Sequence, residues 1–162
     1  MARTVYFDSP LGVLAIDGSE RGVASVAFVE RRPAGAAAPE NGAPAPLLAC
    51  RRQLDEYFRG VRTEFDLPLN LAGTPFQLEV WRRLRQVPFG ATTTYGALAA
   101  AMHNFGAARA VGGANHRNPV SIVIPCHRVV GGGGSLVGYG GGLWRKERLL
   151  GHERSVLDQL KS

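Results

Sequence analysis

The sequence predicts a mixed α/β (α+β) chain in two parts, an antiparallel meander with one helix followed by a mostly helical half. Three observations predict it. Short apolar runs separated by turn signals fill residues 4–30, the pattern of a meander. From residue 71 the apolar spacing changes to that of helices. Charge divides at the same place: residues 1–70 carry eight Lys/Arg and nine Asp/Glu, net −1, whereas residues 71–162 carry eleven and four, net +7. Domains are therefore expected at 1–70 and 71–162, each long enough for a small core.

The elements follow in order. "TVYFDS" and "GVLAIDG" read as strands joined by the turn "SPLG", and "GSERG" leads into a third, "VASVAFVE". Residues 31–46, "RRPAGAAAPENGAPAP", are too rich in Pro, Gly and Ala to pack and read as a flexible connection. "LLACRRQLDEYFRG" sets Leu47, Cys50, Leu54, Tyr57 and Phe58 at helical spacing and ends at Gly60. Cys50 thus falls on an apolar stripe, as an inert small hydrophobe. "TEFDLPLNL" reads as a further strand rejoining the meander.

In the second half, Thr74, Pro75 and Gln77 form a capping-box start, with Phe76, Val80 and Leu84 on one face and Trp81 alongside. Pro88 and Gly90 stop that helix. "TYGALAAAM" and "GAARAVGGANH" are two short helices so tightly joined that they resemble a helix-turn-helix, with Arg109 on the second. Gly112 and Gly113 each cost about 1 kcal/mol in a helix relative to alanine. That cost implies another backbone coming close to them.

Composition excludes several classes. No run approaches the ~18 apolar residues of a membrane span, and the opening "MARTVYFDSP" has no leader pattern. A soluble, cytoplasmic chain is expected. Two cysteines, Cys50 and Cys126, make neither a disulfide framework nor a zinc pattern, so no metal or cofactor is expected. The basic half points to a polyanion.

The chemistry concentrates in "NPVSIVIPCHRVVGGGG", residues 118–134. A cysteine becomes a nucleophile when its proton is taken. His127 is adjacent, but neighbours in an extended segment point to opposite sides. A bridging water is therefore needed, with a carboxylate behind the imidazole to fix its tautomer. Glu147, Glu153 and Asp158 are the downstream acids, and the helical "WRKERLLGHERS" could turn either of the first two inward. Asn118 before Pro119 ties down a turn, and the glycines at 131–134 and 138–142 make a loop for a flat ligand, with Tyr139 available for stacking.

"PCHRV", preceded by "RAVGGANHRNPVSIVI" and followed by "GYGGGLWRKERLLGHE", resembles the O6-alkylguanine-DNA alkyltransferases. The likeness runs nearly without gaps from Thr74 to about Glu153 and more loosely through "SPLGVLAIDG" and "LDEYF". The resemblance implies a ribonuclease-H-like α/β domain followed by a winged-helix-type DNA-binding domain. It implies one-time transfer of an alkyl group from O6 of guanine, or O4 of thymine, in double-stranded DNA to Cys126. His127 would be the water-relayed base, Glu153 the carboxylate orienting it, and Asn118 the brace of the active-site turn. Tyr95 would disturb the backbone phosphate and pass a proton to the departing guanine, and Arg109 would fill the vacated stack. Ala110, Gly112, Gly113, Arg117 and Arg128 join Tyr95 and Arg109 against DNA; Tyr139, Val129, Gly140 and Asn115 surround the base. No cofactor is implied, and the protein would act as a monomer, with cooperative binding on DNA open.

Two departures matter. Residues 1–70 hold one cysteine and no histidine, so the zinc of some relatives is not expected. Gly140 lacks the hydroxyl of some members, which would widen the pocket toward larger alkyl groups. His103 and His116 match no role and are expected at the surface, with a phosphate contact open to His116. The alternatives are a non-enzymatic alkyl-lesion recognition protein, whose cysteine is typically replaced by tryptophan, and a helix-turn-helix regulator or unrelated cysteine hydrolase.

Overall fold

The computed structural model describes residues 3–34 and 42–161. They divide into two compact units, 1–72 and 73–162. The centre of the expected connection, residues 35–41, lies outside the described residues.

In the first unit, β1 (Arg3–Ser9), β2 (Gly12–Ser19) and β3 (Gly22–Val29) form an antiparallel sheet in that order. Val5 pairs with Ile16, and Ile16 with Val26, so these three buried residues form an apolar row across the sheet. Helix α1 (Ala45–Phe58) packs on the sheet through Leu47, Cys50, Leu54 and Tyr57, all fully buried. Burial of each such side chain stabilises the unit by about 1.5–3 kcal/mol before entropy is charged against it. The helix begins inside the expected connection, at Ala45, and Gly42 before it accepts a hydrogen bond from Arg3 Nη1 (2.7 Å). Burial raises the Cys50 thiol to about 12, which suits the inert role.

The strand expected at 63–71 is not formed. Only Leu69 bridges to Val23: Val23 N donates to Pro68 O (2.9 Å) and Asn70 N to Val23 O (2.8 Å). Pro68 has no N–H to extend the ladder. Gln53 of α1 claims the preceding residue, donating to Asp66 O (3.0 Å) and accepting from Asp66 N (2.9 Å).

The second unit is helical. Its α-helices are α2 (Pro75–Leu84), α3 (Tyr95–Ala101), α4 (Ala108–His116) and α5 (Leu143–Leu160), with single 3-10 turns at Cys126–Arg128 and Gly132–Gly134. The capping box forms as the spacing requires: Thr74 Oγ1 accepts from Gln77 N (3.1 Å) and Gln77 Oε1 from Thr74 N (3.0 Å). Trp81 crosses to α4, its Nε1 donating to Ala114 O (2.9 Å), so the large ring buries its area with its polar end satisfied. Helices α3 and α4 pack against each other. Among the described residues, no helix is long and apolar enough to cross a membrane.

Candidate active site

Residues 118–129 are held by local hydrogen bonds rather than by a strand. Asn118 braces them from both sides: Nδ2 donates to Ile124 O (2.7 Å), and Oδ1 accepts from Val120 N (2.9 Å). The enclosed chain is strained. Val123 N donates to Ser121 O across Ile122, whose φ is 73°. A β-branched residue there is a genuine outlier, in a γ-turn of the rarer, positive-φ kind costing about 1–3 kcal/mol. Cys126 N then donates to Ile124 O (2.8 Å) across Pro125, whose φ and ψ of −81° and 64° make the easier inverse turn. These turns deliver Cys126 to the start of the 3-10 turn.

That turn corrects the extended geometry anticipated for the cysteine and histidine. At three residues per turn, successive side chains diverge by roughly 120°, so Cys126, His127 and Arg128 point three ways. Cys126 faces a cavity of about 30 Å³ lined with Asn115, His116, Asn118, Ser121, Gly138, Tyr139 and Gly140. His127 and Arg128 both turn inward onto Glu153 of α5.

Glu153 is fully buried and occupied on both oxygens. Oε2 lies 2.7 Å from His127 Nε2 and accepts from Arg128 Nη2 (3.0 Å); Oε1 accepts from Arg128 Nε (2.9 Å) and from Gly90 N (3.0 Å). Burial alone would raise its pKa. The hydrogen bonds from His127 and Arg128, with the positive charge of Arg128, outweigh burial and hold the carboxyl well below the usual carboxylate range. His127 is shifted the other way, below its ordinary value, because burial disfavours the imidazolium more than Glu153 favours it. The two directions are compatible, since Arg128 supplies a permanent positive charge. A neutral imidazole beside an ionised carboxylate must carry its proton on Nε2. Nδ1 is then an acceptor, buried and without a hydrogen-bond partner.

Burial raises the Cys126 thiol, while the Asn118 side chain and the charge of Lys146 act to lower it. The Tyr139 hydroxyl and Asn115 Oδ1 are buried without partners, so the cavity wall presents unsatisfied polar atoms. Burial also pushes the Tyr139 hydroxyl above its ordinary value. A Cβ on Gly140 would meet nothing within 4 Å, so its missing side chain leaves open space at the cavity.

The structure brings Cys126, Asn118, Tyr139, Gly140 and Asn115 around one cavity, with His127 and Glu153 behind the cysteine. Val129 is buried, bridged to Thr93 by Thr93 N to Arg128 O and Val130 N to Thr93 O (both 2.8 Å), and does not line the cavity. Arg109, Ala110, Gly113 and Arg117 are exposed on α4 or just beyond it. Glu147 is exposed and Glu153 buried, so burial alone distinguishes the two acids. His103 and His116 are exposed, and His116 borders the cavity.

Two expectations need correction. Arg128, placed against DNA in the sequence reading, is buried: it grips Glu153, donates to Val87 O (2.8 Å) and lies 5.7 Å from the Phe89 ring centre. On α4, a Cβ added at Gly112 would touch the Tyr95 ring at 3.4 Å rather than another backbone, and at Gly113 it would meet nothing within 4 Å. Within the chain, then, the ring of Tyr95 is what the Gly112 position accommodates. Sequence reasoning missed the Arg128 pairing, the Gly90 bond to Glu153 and the buried Lys146. A 3-10 turn after Pro125 was the one signal that would have turned His127 and Arg128 inward together.

A cavity-lining thiol beside a buried histidine–carboxylate pair, on a unit of short packed helices, defines a class: proteins that hold one cysteine against a hydrogen-bonded histidine and acid. The comparisons narrow it. The family model for the DNA-binding domain of 6-O-methylguanine DNA methyltransferase matches residues 75–155, and that for its ribonuclease-like domain matches residues 1–71. The chain belongs to this family. It is 46% identical over 154 residues to the methylated-DNA–protein-cysteine methyltransferase of Mycolicibacterium paratuberculosis, covering 94% of this chain and 91% of that protein. The crystal structure of Mycobacterium tuberculosis O6-methylguanine methyltransferase superposes with a TM-score of 0.83 at 42% identity, covering 96% of this chain and 94% of that one. The M. tuberculosis OGT in complex with DNA gives 0.83 at 43%, covering 96% and 93%.

Proposed function

We propose that Cys126 is the acceptor in the reaction that characterises the family, DNA repair by transfer of an alkyl group to a cysteine of the protein itself, and that the donor is O6-alkylguanine in duplex DNA. One observation carries the assignment of roles: the ionised Glu153 fixes the Nε2 proton of His127 and leaves Nδ1 as a buried acceptor, one residue from the cavity-lining cysteine. The thiol proton passes through a water to His127 Nδ1. The sulfur attacks the alkyl carbon, the S–C bond forms, and the bond from that carbon to O6 breaks. The guanine leaves with a proton supplied by Tyr95; the phenolate regains one from solvent as the imidazolium of His127 releases the thiol's proton, so one proton has moved from thiol to base overall. Asn118 holds the sulfur in place throughout.

A base inside the stack is out of reach of a buried sulfur, so the nucleotide is rotated out at a cost of a few kcal/mol. Arg109, exposed on α4, fills the gap, and Arg117 contacts phosphate. Tyr139 and Asn115, with their unpartnered polar atoms, meet the edge of the extruded purine. Because water does not cleave a thioether, each molecule acts once.

The test is stoichiometry. After incubation with a duplex containing O6-methylguanine, the peptide bearing Cys126 gains the mass of one methyl group, and a Cys126→Ala variant gains none. Turnover well past one equivalent overturns the reading.

A further inference from the structure

The exposed face of α4 and the residue after it runs through Arg109, Ala110, Gly113, His116 and Arg117. Between its cations that face is a floor of alanine and glycine, low enough for the helix to lie close against another surface. Just ahead of it, on the turn from α3 to α4, stands Phe105, 78% exposed. Among the described residues no large apolar side chain is more exposed.

The turn beneath Phe105 is fixed at both ends. Helix α3 closes at His103, whose φ is 55°; His103 N donates to Ala100 O (3.0 Å) and Asn104 N to Ala99 O (2.9 Å), the Schellman pattern. Ala107 N then donates to Asn104 O (3.0 Å), and Val111 N to Ala107 O (2.8 Å) starts the ladder of α4. Phe105 therefore occupies the first corner of a closed four-residue turn, and the ring is held out in water rather than folded onto either helix. A Cβ at Gly106 would meet nothing within 4 Å, so the space beside the ring is open. Keeping an aromatic ring in water is unfavourable, and a polar residue would close the same turn without that cost. What the ring meets outside the chain accounts for it.

We infer that Phe105 is an apolar wedge on duplex DNA: its ring enters the groove beside Arg109 and opens a base step near the gap that Arg109 fills. The inference rests on the alkyl-transfer reading above. Duplex DNA is the occupant because the charge around the ring has one sign. Arg109 and Arg117 form no ion pair among the described residues, and no Asp or Glu occurs from residue 80 to residue 146. Proteins that kink DNA combine basic side chains with an apolar wedge that partly unstacks a base step. Four residues span at most ~14 Å, about four base steps of ~3.4 Å, which bounds how far from the lesion the ring acts. A duplex kinked there holds the damaged nucleotide less firmly in its stack.

The experiment compares the wild type with Phe105→Ala and Phe105→Leu. Duplex affinity is measured by fluorescence anisotropy over a range of salt, and Cys126 modification is timed with an O6-methylguanine duplex and with free O6-benzylguanine. Unstacking is read in the Cys126→Ala background, where the lesion persists, from 2-aminopurine placed at successive steps within about four pairs of it. Phe105→Ala should lose about tenfold in duplex affinity and duplex reaction, as loss of a base–aromatic contact does, while the rate with the free base holds. The salt slope should stay the same, because no phosphate contact is removed. The 2-aminopurine should brighten at one step with Phe105 present and not with alanine. Phe105→Leu, still an apolar wedge, should recover most of each loss. Unchanged duplex binding in Phe105→Ala overturns the inference. So do equal losses with both substrates, which make the ring a support of the fold, and a duplex loss with unchanged emission, which makes it a surface contact only. If the duplex brightens yet the wild type takes no alkyl group from it, the alkyl-transfer reading fails and the wedge stands.

Discussion

Glu153 binds three groups that are far apart in sequence or point apart in an extended chain: the ring of His127, the guanidinium of Arg128 through two nitrogens, and the amide of Gly90. Removing it leaves a buried guanidinium unpaired. Glu153→Ala should therefore lose about 3–5 kcal/mol of stability in urea denaturation. Glu153→Gln separates charge from shape. Because the carboxyl is held below its ordinary 4.5 in the fold, its contribution is complete above that value and is lost as pH falls toward the depressed one. The wild type should lose stability over that acid range, and the Gln variant should show a shallower decline from a lower plateau. Equal slopes would mean that the Arg128 and His127 contacts do not hold the carboxylate ionised. Gly90 is the second residue to probe. Its φ is 82°, and a Cβ there would sit 2.1 Å from Leu157 Cδ1. Gly90→Ala should cost at least about 1–2 kcal/mol for the backbone alone, and should slow alkyl transfer by disturbing the amide on Glu153.

At the scale of elements, what could be read from the sequence was what periodicity and capping dictate. Strands β1 to β3 declared themselves by short apolar runs, and α2 by Thr74, Pro75 and Gln77. Thr74→Ala should cost about 1 kcal/mol, measured by thermal unfolding. The strand expected at 63–71 failed because the side chain of Gln53 and the missing N–H of Pro68 decide that segment, and neither leaves a periodic trace. The active-site turn was illegible for a related reason. Its course depends on the Asn118 brace and the strained Ile122, both local hydrogen-bond solutions rather than patterns. The residues themselves singled out Cys126 and His127, whereas spacing left Glu147 and Glu153 open and the family resemblance chose Glu153; that resemblance also put Arg128 against DNA, and only the 3-10 turn sets its side chain on the same side as Glu153. Helix α4 carries the next prediction. Arg109→Ala should weaken reaction with the damaged duplex far more than with free O6-benzylguanine, because its side chain is exposed on α4 and lines no part of the cavity. Equal losses would remove it from base extrusion.

At the scale of the whole molecule, charge is the property that no single contact explains. The half that contains the helix-turn-helix carries +7 against −1 for the other. Part of that excess is spent internally: Arg128 lies on Glu153, and Arg82 and Arg83 lie on Glu79. Arg109 and Arg117 are exposed and form no ion pair among the described residues, so they remain for phosphates. Each phosphate neutralised releases condensed counterions, and duplex affinity then falls with salt at a log–log slope of about −0.9 per contact. Measured by fluorescence anisotropy on an undamaged duplex, Arg117→Ala should weaken binding and make that slope shallower by about 1. Arg21→Ala, an exposed arginine of the sheet unit, should leave it unchanged. Matching changes in both variants would spread the phosphate contacts over both halves, and the charge division at residue 71 would no longer mark the DNA-binding part.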